Sequence, residues 1–168
     1  MTEFATATLA TFRHYLAQID RLVIRIAGEP QSARLFSLKV SPDGFDVAQQ
    51  LGIALNFAAR AVYPVVGREL PAWPETFPEE VLRSFGAQIS EALATVAPAD
   101  FADAPVSHVA GFAELEQPPA DYMIRFALPN MMFHFAMAYA ALRADGVDIG
   151  KSDFDGLHAY PSGFAFDD

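Results

Sequence analysis

Leu9, Phe12, Leu16, Ile19, Val23 and Ile26 are spaced by alternating threes and fours, which sets a continuous apolar seam along one face of a helix from about residue 3 to 27. A helix with such a seam must bury it against other elements. Gly28 and Pro30 end it. A second helix, about 44 to 66, follows the Lys-Val-Ser-Pro-Asp-Gly-Phe loop, with Val47, Gln50, Ala54, Phe57 and Ala61 as its inward stripe. Gln50 is the odd member of that stripe. After a Pro-rich connector, Pro71 to Pro78, Thr76 and Glu79 have capping-box spacing. Leu82, Phe85, Ile89, Leu93 and Val96 give a third helix its apolar face, and Pro98 stops it.

Helical periodicity disappears from Phe101 to Pro119, where the alternation Phe112-Ala113-Glu114-Leu115-Glu116 suggests a small hairpin or an irregular crossover. Asp121 then caps a fourth, almost wholly apolar helix. Pro129 removes one of its hydrogen bonds and predicts a kink near the carbonyl of Arg125. Gly146 is placed to end it as a left-handed cap, with Lys151 folding back onto acidic neighbours. Residues 157–168 show no periodicity and read as a C-terminal tail. The expectation is all-α: one domain over residues 1–168, a four-helix bundle with a long crossover, carrying a small β-hairpin, before the last helix.

Composition narrows the function. With 21 acidic against 11 basic side chains and a formal charge of −10, the chain repels a phosphate backbone, so nucleic acid and anionic membranes are poor partners. The absence of cysteine removes thiolate chemistry and fits a cytoplasmic protein, as does the lack of a secretory pattern near Glu3 and Arg13. Phe126 to Leu142 is apolar but shorter than the roughly 20 residues a membrane span needs, and contains Pro129, Asn130 and His134.

Asn130 and His134 lie four apart, on one face of the fourth helix, in the geometry of a metal-ligand pair with an amide in one place. His134 is open to three readings: metal ligand, general base, or core histidine. A catalytic metal needs about three protein ligands, and His14, His108 and His158 could join a site only through tertiary contact. No Glu-x-x-His, His-Glu-x-x-His, Gly-x-Ser-x-Gly or dinucleotide fingerprint is present, and Gly146 to Ser152 has three residues, not four, between its glycines, so it is not a phosphate loop. Asn56 and Arg60 read as a solvated helix-surface pair. Tyr15, Phe57, Phe133 and Tyr139 are candidates for an aromatic pocket or for core.

The string from Leu128 to Gly156, Leu-Pro-Asn-Met-Met-Phe-His through Asp-Gly-Val-Asp-Ile-Gly-Lys-Ser-Asp-Phe-Asp-Gly, resembles the C-terminal signature of the domain-of-unknown-function 1993 family. Lys39 to Phe45, then Gln50 and the helix to Gly67, resemble its second-helix region. The resemblance implies the DinB/YfiT-like fold, whose better-known relatives bind a divalent metal through three histidines, often form homodimers and include thiol-dependent transferases. Set on Leu142-Arg143 and Gly146, it puts Asn130 and His134 at two ligand positions and Gln50 at the third. Two imidazoles would thus be amides, which bind transition metals weakly. Three functions follow as expectations. The first is a small-molecule pocket at Gln50, Asn130 and His134, a degenerate metal site with no cofactor. The second is a zinc- or nickel-dependent hydrolase or thiol transferase recruiting ligands such as His14 or Asp43. The third is a structural, dimerising module.

Overall fold

The computed structural model describes residues 2–161. The first seam becomes helix α1, Thr2–Ala27, and all six of its periodic residues are buried. A short helix α2, Ser32–Phe36, buries Leu35 and Phe36; one turn and a half is too short for periodicity to announce it. Helix α3 is Val47–Val62, tighter than the expected 44 to 66. Its start is set by Asp46, whose Oδ1 accepts from Gln49 N at 2.8 Å, while Gln49 Oε1 accepts from Asp46 N at 3.1 Å. At its other end Pro64–Val66 form a 3₁₀ turn closed by Gly67 at φ 68°.

Helix α4, Glu79–Ala94, begins after Pro78 with no side-chain cap, so the expected Thr76–Glu79 box does not form. That box would place Phe77 in helical conformation directly before a proline, which the proline ring disfavours. The crossover carries an antiparallel hairpin, β1 (Val106–Ala110) and β2 (Ala113–Gln117), with Val106 opposite Gln117 and Ala110 opposite Ala113. Gly111 takes the positive φ, 62°, that its two-residue turn requires.

The fourth helix, α5, consists of Pro119–Asp121, a π-helical stretch Tyr122–Ala127, and Leu128–Ala144. Asp121 lies inside it rather than capping it, because Pro119 already supplies a pre-set first turn. The disturbance expected at Arg125 takes the form of the π stretch: Leu128 N donates to Met123 O, five residues back, just ahead of Pro129. Gly146, at φ 89°, ends α5, with Val147 N donating to Leu142 O at 3.1 Å. Lys151 opens a last short helix, α6 (Lys151–Asp155), and makes no ion pair among the described residues, so it does not fold back onto its acidic neighbours.

α3 packs along α5 and α4, while α1 packs against α4 and α6. The fold is the all-α bundle expected, with the hairpin in the crossover. α6 is docked by His14, whose Nε2 donates to the Asp155 carbonyl at 2.7 Å. The Asp155 carboxylate in turn accepts from His158 N, Leu157 N and His158 Nδ1, and those backbone donors hold its pKa down at about 2. Residues 157–161 carry no helix or strand, and the rest of the expected tail, 162–168, lies outside the described residues. No described helix is long and apolar enough to cross a membrane.

Candidate functional site: a buried amide and a half-buried imidazole

Gln50 sits one turn inside α3 and is buried, although it is the only polar member of its stripe. Its Oε1 lies 2.6 Å from His134 Nδ1, joining α3 to α5. With a carbonyl oxygen as acceptor, Nδ1 carries the proton and Nε2 presents its lone pair. Two turns along α3, Phe57 stacks on the imidazole, ring centroids 5.9 Å apart and planes 13° from parallel. Phe45 and Phe133 approach it at 6.4 and 5.1 Å. Burial in these surroundings lowers the His134 pKa, favouring the neutral ring. No hydrogen bond reaches His134 Nε2 among the described residues, and it is not sealed from solvent, since the one fully buried side-chain nitrogen or oxygen without a partner there is His108 Nδ1. An accessible neutral Nε2 can accept a hydrogen bond, take up a proton or bind a metal.

Asn130 makes no hydrogen bond to either side chain among the described residues. Its Nδ2 donates to Phe126 O at 2.7 Å, turning the amide back along its own helix. His14 is committed to Asp155, Asp43 Oδ1 accepts from Ser41 Oγ at 2.6 Å, and His108 Nε2 meets Gln117 Oε1 at 2.7 Å. No three His, Asp or Glu among the described residues are grouped to hold a metal ion. One imidazole with one amide oxygen already bonded to it does not fit the three-ligand centre of the DinB/YfiT-like relatives.

The aromatic candidates divide in two. Phe57 and Phe133 surround His134, whereas Tyr15 and Tyr139 pack on Phe154, at 6.3 and 5.7 Å. Arg60 is not a solvated surface residue. Its guanidinium lies 4.9 Å from the Phe57 ring centre and 5.5 Å from that of Phe126, and it donates to Val109 O of the hairpin at 3.2 Å. Tyr122, buried at the start of the π stretch, donates its hydroxyl to Arg60 O at 2.7 Å. The hairpin and both central helices therefore meet around one cation.

A cavity of about 750 Å³ opens on the other side of Phe45, between α2, the start of α3 and the connector before α4. Phe36, Phe45, Trp73 and Phe77 form its aromatic walls. Gln50, Asn130 and His134 do not line it; Phe45 alone belongs to both places. Gly52 makes the wall possible, since a Cβ there would fall 2.4 Å from Phe77 Cε1. Sequence periodicity passed over these residues because α2 and the connector have none, although a lone tryptophan in a Pro-rich connector was a visible signal.

The family described as Domain of unknown function (DUF1993) matches residues 4–155. Among solved structures, a crystal structure of a DinB family member protein from Shewanella denitrificans is similar with a TM-score of 0.77. It is 24% identical, with 96% of this chain and 99% of that chain covered, a likeness that shows the fold alone. No curated protein matches the chain. Since the match takes in α3, the crossover and α5, and so both Gln50 and His134, the chain belongs to the DUF1993 family and has a DinB-like fold.

Proposed function

We propose that this protein binds a small molecule through His134 Nε2, at the place where DinB/YfiT-like relatives hold a metal. One observation carries the reading: Gln50 fixes the imidazole through Nδ1 at 2.6 Å while Nε2 has no partner among the described residues. A buried amide whose hydrogen bond orients a ring, with nothing on the ring's other nitrogen, is the arrangement of a positioned acceptor. The ligand that matches it carries an O–H or N–H donor beside a flat apolar part, which Phe57 and Phe133 would flank. Asn130 is outside the binding set.

The test is a thermal-shift screen of phenols, lactams and heteroaromatic N–H compounds against the wild type, His134→Ala and Asn130→Ala. Stabilising compounds should lose their effect in His134→Ala and keep it in Asn130→Ala. A screen whose hits are all indifferent to His134 rejects the proposal. Zinc and nickel belong in the same screen, because the alternative of a metal-dependent hydrolase or thiol transferase requires an ion at this imidazole. Retained, His134-dependent metal after dialysis, measured by elemental mass spectrometry, would favour that alternative over the small-molecule reading.

A further inference from the structure

We propose that the cavity between α2, α3 and the connector is a second binding site, for an organic cation with an apolar body. Its volume, about 750 Å³, is that of a small-molecule site rather than a packing defect. Two of its walls are large aromatic residues left half in water, Phe45 at 51% exposure and Trp73 at 49%. Phe36 and Phe77 behind them are buried, so the cavity has an apolar floor and an aromatic mouth. Aromatic faces recognise alkylammonium groups through their quadrupoles.

The charged groups of the lining have one sign. Asp46, Glu75 and Glu79 border the cavity, and no Lys or Arg among the described residues lines it. Asp46 Oδ1 caps α3, and Glu79 is 3.7 Å from Arg83, but the Glu75 carboxylate has no ion-pair partner among the described residues. An anion would face uncompensated repulsion here, and a neutral apolar ligand would leave the carboxylates without a counter-charge. A cation meets both the rings and the acids. The site is distinct from His134, whose side chain does not line it, and Phe45 is the one residue the two places share.

Trp73 is the only tryptophan, so its emission reports on this wall alone. Hexyltrimethylammonium, hexan-1-ol and hexanoate share an apolar tail and differ in charge. The cation should quench or shift Trp73 emission saturably, hexan-1-ol should bind about tenfold more weakly, and hexanoate should not bind. In the Glu75→Gln/Glu79→Gln double variant, checked for an unchanged melting temperature, affinity for the cation should fall about tenfold while that for hexan-1-ol holds. His134→Ala should bind the cation as wild type does, which separates this site from the one proposed above. Equal affinity for alcohol and cation, an unaffected double variant, or no saturable signal by either fluorescence or calorimetry would each overturn the proposal.

Discussion

Replacing Gly52 with alanine sets two effects of opposite sign against each other. In a helix interior alanine is favoured over glycine by about 1 kcal/mol, so propensity alone makes the variant more stable. The ideal Cβ, however, falls 2.4, 2.5 and 2.7 Å from Cε1, Cδ1 and Cζ of Phe77. Ordinary contact begins at 3.4 Å, so the ring must retreat by ~1 Å. The ring, buried against α3, must then press on Trp73, 4.9 Å away between ring centres, and Phe85, at 6.5 Å, or swing out into the cavity it walls. Overpacking of this kind costs about 1–3 kcal/mol, and expelling the ring instead forfeits roughly 2 kcal/mol of burial. The clash therefore wins by about 1 kcal/mol, which lowers Tm by roughly 3 °C for a chain of this size. Thermal melting followed by circular dichroism measures the shift, and Trp73 emission at 20 °C should change as its neighbour moves. A Tm raised by a few degrees with unaltered emission would refute the reasoning, for it would mean that propensity outweighs the contact.

Three further outcomes are expected. His134 has a pKa lowered by burial, so on acidification the unfolded chain takes up this proton first; stability should fall as pH drops through about 6.5 and level off below the folded value. The urea midpoint of His134→Gln should lose that part of the slope between pH 8 and 5. Asp155, held at about 2, contributes stability that is complete above its ordinary 3.8 and lost as pH falls from there through 2. Acid titration of Asp155→Asn should show a flatter limb in that window. Tyr122→Phe removes the bond to Arg60 O and should cost about 1 kcal/mol, read from chemical denaturation.

The long seams of α1, α3 and α4 were legible because periodicity is a local property, and the hairpin because two strands joined by two residues need little else. What fails locally fails through proline: spacing offers Thr76 as a cap, and the conformational demand Pro78 makes on Phe77 outweighs it. Gln50 and His134 stood out as polar residues on apolar faces, though they are 84 positions apart and only packing brings them together. Asn130 shows the limit of the same argument. Spacing places a residue on a face but leaves its rotamer open, and a short amide can satisfy itself on the carbonyl four residues back. Arg60 looked solvated because nothing in α3 alone foretells that Phe126 and the hairpin will cover it. The cavity is illegible because its aromatic walls, Phe36, Phe45, Trp73 and Phe77, come from segments with no period.

The π stretch at Tyr122–Ala127 fixes an angular phase between the two ends of α5. A wide turn holds one residue more than an α turn, so everything ahead of it is rotated by ~100° relative to an uninterrupted helix. Tyr122 points at Arg60, and His134 at Gln50, only with that offset in place. Deleting a single residue within 122–127 would return the helix to one continuous phase. It would force a choice between keeping the hairpin and its arginine in register and keeping the imidazole aimed at α3. Length in this stretch is thus a coordinate of the Gln50–His134 geometry, as much as the identity of either side chain.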